Sequence, residues 1–66
     1  MTISVNNELQ QLNQTCSVAD FLIERGLTGK RLAVELNRQI VPRSQHSDQM
    51  LSDGDKMEII HAIGGG

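Results

Sequence analysis

Apolar positions along this chain change their spacing from one stretch to the next, and the spacing sorts the stretches into elements. Thr2-Ile3-Ser4-Val5-Asn6 alternates polar and apolar, the period-two pattern of a half-buried strand. Asn6-Asn7 then reads as a hairpin turn, because asparagine tolerates positive φ better than most residues. Residues 8–13 (ELQQLN) would be the return strand. Leu9 and Leu12 stand three apart, however, and share a face only if a bulge intervenes. The run SVADFLIERG switches to helical spacing at Val18, Phe21, Leu22 and Arg25. Ser17 is a good N-cap and Asp20, three residues on, completes a capping-box variant that also suits the positive helix end. Arg25 in the last turn and Gly26 at the C-cap close it.

Alternation returns at Leu32-Ala33-Val34-Glu35-Leu36, and a two-residue turn at Asn37-Arg38 leads into Gln39-Ile40-Val41. That turn pairs Leu36 with Gln39, Glu35 with Ile40 and Val34 with Val41. Leu32, Val34, Leu36 and Val41 then face the helix, while Ala33, Glu35 and Ile40 face away. Pro42 ends the strand because it has no N–H to donate. Residues 43–55 are polar and irregular, with Met50-Leu51 as a small apolar anchor and Asp53-Gly54 as a tight turn. A last strand follows from Lys56 to Ile63, with Met57 and Ile59 inward and Glu58, Ile60 and Ala62 outward. The order strand, strand, helix, strand, strand, strand predicts an α+β fold, a mixed sheet with one main helix on one face. First and last strands lie parallel in such a plan, which is the β-grasp (ubiquitin-like) arrangement. The domain is expected over 1–63, with 64–66 as a flexible glycine tail.

Composition narrows the function. Sixty-six residues, 38% of them apolar and only Phe21 aromatic, allow one small aliphatic core and few residues for the walls of a deep pocket. A binding module, carrier or subunit is favoured over a self-contained enzyme. Residues 25–43 carry a net +4 between ends of −3 each, for −2 overall. Nucleic-acid binding normally wants more positive charge and stacking aromatics, so no nucleic-acid partner is expected. A single cysteine forms no internal disulfide, and neither a signal peptide nor a long apolar run is present. A cytoplasmic protein, monomeric when free and without a membrane partner, is the expectation.

Gly64-Gly65-Gly66 is the one feature composition leaves unexplained. At average usage of about 7%, two specified terminal glycines arise by chance about once in two hundred chains. No helix follows them, so they are not a phosphate loop. Lacking Cβ atoms, glycines fit a narrow channel, and the thread they form delivers the Gly66 carboxylate. A carboxylate becomes an acyl donor only once its oxygen is made a good leaving group, as adenylation would do. With Asn37-Arg38-Gln39-Ile40-Val41-Pro42-Arg43, Leu51-Ser52-Asp53-Gly54-Asp55 and the glycine end, the whole chain resembles the ThiS family of sulfur carriers. Three terminal glycines in place of two are a mild departure.

The resemblance implies a sulfur carrier for the thiazole of thiamine that catalyses nothing itself and binds no cofactor. An E1-like adenylyltransferase of the ThiF type, using ATP and magnesium, would activate Gly66. Sulfur from a donor such as a cysteine desulfurase would replace AMP, and a thiazole synthase of the ThiG type would take it up. Gly64 and Gly65 would thread. Alternatives are the small subunit of molybdopterin synthase, a ubiquitin-like modifier, and a β-grasp interaction module with an inert tail.

Other residues carry weaker signals. Ala33, Ile40, Ile60 and Ala62 are expected to form a partner-docking patch on the uncovered sheet face, with Arg43 for an anion or carboxylate. Cys16 beside a helix N-terminus suggests a sulfur relay of lowered pKa, but a lone cysteine there is more often a small core residue. His46 and His61 lack cysteine partners at zinc spacing, so no metal site is expected. Asp53 and Asp55 flank Gly54, where turn chemistry outweighs acid–base chemistry.

Overall fold

Two short hairpins and one helix build the molecule, and a last strand joins them. The computed structural model describes residues 1–28 and 31–61. Its elements are β1 (Thr2–Val5), β2 (Glu8–Gln11), α1 (Val18–Glu24), β3 (Leu32–Leu36), β4 (Gln39–Val41) and β5 (Lys56–His61). They form one five-stranded sheet in the order β2-β1-β5-β3-β4, with β1 and β5 parallel and the other pairs antiparallel.

Both hairpins turn on two residues with positive φ, Asn6 and Asn7 at 51° and 69° and Asn37 and Arg38 at 52° and 70°. This is the primed turn whose twist matches that of the strands it joins. The β3–β4 register is the expected one, Val34 opposite Val41, Glu35 opposite Ile40 and Leu36 opposite Gln39.

Within β2 no bulge forms. Leu12 is buried and Leu9, out of phase with it, is 79% exposed. The strand ends at Gln11 rather than residue 13, although Leu12 and Met1 still exchange two 2.8 Å hydrogen bonds.

The helix is capped as expected at its start. Asp20 N–H donates to Ser17 Oγ at 3.1 Å and Ser17 N–H to Asp20 Oδ2 at 3.4 Å. Its end lies one residue earlier than expected: Arg25 is the C-cap, and Gly26 follows it at φ 71°. Gly26 N–H then reaches the Ile23 carbonyl and Leu27 N–H the Leu22 carbonyl, the pair of bonds that satisfies the last turn. Val18, Phe21 and Leu22 are buried against Ile3, Val34, Leu51, Met57 and Ile59 in a single core.

Residues 43–55 are less irregular than their composition suggests. A 3₁₀ turn spans Arg43–Gln45, and hydrogen bonds tie the segment to the start of α1. Val18 N–H donates to the Gln49 carbonyl at 2.8 Å, and Ala19 N–H donates to the His46 carbonyl at 2.9 Å. Only half of the Met50-Leu51 anchor is buried: Leu51 is 1% exposed and Met50 48%. Expectations for Ala62, Gly64, Gly65 and Gly66 concern positions outside the described residues.

Candidate functional site

The helix covers one face of the sheet and leaves the other open. Ala33 lies directly opposite Ile60 across β3 and β5, and Ile40 lies opposite Glu35 across β3 and β4. Ile60 is thus the direct neighbour of Ala33, while Ile40 on the other side of β3 is diagonal to it, and the two isoleucines are 49% and 61% exposed. The structure places these three expected residues on the same open face, Ala33 and Ile60 in the row next to the end of β5 and Ile40 in the row of Glu58. One step along the strands Glu35 faces Glu58, a like-charge pair that costs stability when placed directly across a sheet. Arg38 and Lys56 border the same depression and offset that repulsion. Glu35 thus stands directly beside Ile40, so the open face alternates an apolar row with one that mixes Ile40 and the acidic pair.

Arg43 is not on this face. Pro42 and the 3₁₀ turn carry it to the helix side, where it borders a groove beside Ala19, Leu22 and Ile23. Its grouping with Ile40 and Ile60 is thus corrected, because the chain crosses to α1 directly after β4.

His46 is buried beside that groove, which composition gave no reason to expect. Its Nε2–H donates to the Val41 carbonyl at 3.0 Å and so keeps the 3₁₀ turn against the end of β4. His61 is exposed at the end of β5. Among the described residues, no three His, Cys, Asp or Glu side chains converge as metal ligands. The two aspartates around Gly54 serve the backbone: Asp53 Oδ1 accepts from Thr2 N–H at 2.7 Å and Asp55 Oδ2 from Ser52 N–H at 2.8 Å. Gly54 itself has φ 85°.

Cys16 is half-buried against the core, and burial together with the Asp20 and Glu24 carboxylates pushes its thiol above the ordinary value. That is the reverse of an activated nucleophile, whose thiolate must be stabilised. The relay reading therefore has no support in the geometry.

The sequence profile of the ThiS family matches residues 3–66, all but the first two positions. The chain belongs to the ThiS family. This is the family of ubiquitin-like sulfur carriers of thiamine biosynthesis, with the β-grasp fold. The sulfur carrier protein ThiS of Bacillus subtilis (strain 168) is 35% identical over 52 residues, 79% of each chain. The crystal structure of the thiamine biosynthesis protein ThiS from Geobacter metallireducens superposes with a TM-score of 0.87. It is 25% identical, with all of both chains covered. A thiazole synthase of Paramagnetospirillum magneticum is 38% identical over all 66 residues of this chain, which correspond to 20% of that protein. The chain thus spans about a fifth of the length of the thiazole synthases it matches.

Proposed function

We propose that this chain carries sulfur as a thiocarboxylate on Gly66 and delivers it for formation of the thiazole ring. The family match running through Gly64–Gly66 carries this reading. In it a ThiF-type adenylyltransferase joins the Gly66 carboxylate to the α-phosphate of ATP, with magnesium, and releases pyrophosphate. A persulfide on a donor such as a cysteine desulfurase attacks the acyl carbon and AMP leaves, and a thiol reductant then cleaves the resulting acyl disulfide to free the thiocarboxylate. Gly64 and Gly65 thread the partner's channel because they present no side chains. Ala33, Ile40 and Ile60 on the open face, together with Ala62, dock the activating enzyme in the cytoplasm. A ThiG-type synthase as acceptor is supported by two thiazole synthases, from Paramagnetospirillum magneticum and Magnetococcus marinus, that match this chain along its whole length.

Intact mass tests the chemistry. Incubation with ATP, magnesium, a sulfur source and the activating enzyme should add about 16 Da, the difference between sulfur and the oxygen it replaces. Deleting Gly66 draws the carboxylate back by about 3.3–3.6 Å. Misplacement of even about 1 Å can cost on the order of a hundredfold in rate. Adenylation, read by pyrophosphate exchange, should therefore be nearly abolished while binding to the enzyme stays near normal. Ile60→Asp should do the opposite, weakening binding by placing a charge in a desolvated contact. A Gly66 deletion adenylated at the full-length rate would refute the assignment of the chemistry to residue 66.

A further inference from the structure

The helix has two outward flanks of different character. Asp20 and Glu24, four residues apart, make one of them acidic. Ala19 and Ile23, also four apart, make the other apolar, and Ile23 stays 61% exposed. Beside that apolar flank runs a groove of about 280 Å³, with Leu22, Leu27 and Leu32 among its lining residues. Among the described residues Arg43 is the one charged side chain bordering it, and no carboxylate does so. His46 lies there too, but its Nε2–H is committed to the Val41 carbonyl. An apolar floor with a single guanidinium at its rim is complementary to an apolar group that has a carboxylate close by. The volume suits one or two side chains and falls short of the cavities that enclose most of a small ligand.

We propose that this groove docks a protein partner through an acidic–apolar segment. A leucine-sized side chain rests on Leu22, Leu27 and Leu32, and a neighbouring Asp or Glu carboxylate pairs with Arg43. The surface lies on the helix side of the sheet, away from Ile40 and Ile60, and its use needs no sulfur on the chain. It therefore adds a second point of recognition that the tail chemistry does not require.

Two peptide probes test it on the nitrogen-15-labelled full chain: acetyl-Glu-Leu-Leu-Glu-amide and acetyl-Lys-Leu-Leu-Lys-amide. The acidic probe should shift the amides of Ile23, Leu27, Thr28 and Arg43. It should bind about tenfold more tightly than the basic one at low salt. Arg43→Gln should bring the two probes to similar affinity while leaving spectral dispersion unchanged. Ile23→Ser, an exposed substitution, should weaken both. The proposal is overturned by equal affinities for the wild-type chain, by shifts confined to the open sheet face, or by no shifts at millimolar probe. Decanoate binding as tightly as the acidic peptide would make this a site for small hydrocarbon acids and overturn it too. Dilution of the peptide-free chain moving the same amides would assign the groove to a second copy, and the partner proposal would fall with that result as well.

Discussion

Asn6 and Asn37 hold equivalent places in the two hairpins, and each does more than accept a positive φ. The Asn6 amide accepts from Ile59 N–H at 2.8 Å and donates to the Ile59 carbonyl at 3.3 Å. The Asn37 amide accepts from Lys56 N–H and donates to Asp55 Oδ1, both at 3.0 Å. Each turn thus fastens a side chain to β5 or its approach. Asn37→Gly keeps the backbone conformation and removes both bonds, so the expected loss is about 1–2 kcal/mol in urea unfolding. A loss below about 0.3 kcal/mol would mean that φ alone selects asparagine there. At Cys16 the folded state favours the neutral thiol, so its contribution to stability is complete below the unfolded pKa and is lost as pH rises through the raised folded one. Alkylation by iodoacetamide at pH 8 should be slower in the native chain than in urea. Glu24→Gln should speed the native reaction without touching the capping box, and an unchanged rate would remove the carboxylate from the cause.

At the scale of elements, the helix depends on its ends because it has only seven residues. Ser17→Ala removes the acceptor for Asp20 N–H and should cost about 0.5–2 kcal/mol. A Cβ on Gly26 would meet nothing within 4 Å, so the cost of Gly26→Ala, about 1 kcal/mol, is purely that of holding alanine at φ 71°. Urea midpoints of the two variants check both values. The helix, β1, β3, β4 and β5 were legible in the sequence because only one sheet face is covered, which enforces alternation in the strands. Turn chemistry at Asn37-Arg38 then set the β3–β4 register, whereas Asn6-Asn7 marked a turn without fixing the register of the first hairpin. The expected β2 failed in part because Leu9 and Leu12 are out of phase and half-buried Gln10 stands between them on the core side. Arg43 and His46 were misplaced or missed for another reason. Their segment has no period, and its position is set by long-range bonds to Val18 and Ala19 that leave no local pattern. That Ala33, Ile40 and Ile60 share the uncovered face followed directly from strand parity.

The whole molecule has little stability in reserve. At roughly 0.05–0.15 kcal/mol per residue a chain of this length holds about 3–10 kcal/mol against unfolding. Phe21 is 1% exposed and is the largest of the fully buried side chains, with the Arg25 guanidinium 4.7 Å above its ring centre. Phe21→Ala should cost about 3–5 kcal/mol and leave the domain close to its unfolding midpoint. Chemical denaturation reads this directly, and a loss under about 1 kcal/mol would remove Phe21 from the centre of the core. The same variant is a control for any docking experiment, since a partner surface on either side of the sheet exists only while the core is intact.

The strand that occupies the middle of the sheet is also the last one described, and this has a consequence during synthesis. While a ribosome is still making the first fifty-five residues, the two hairpins have been translated but nothing lies between β1 and β3. A lone hairpin is marginally stable at best, so the growing chain has no sheet to close. Folding waits for β5, whose contacts to β1 span more than fifty residues. A product broken off before Lys56 lacks the strand that joins the two hairpins, so it should not close the sheet. Completion of the fold therefore doubles as a sign that translation has passed β5.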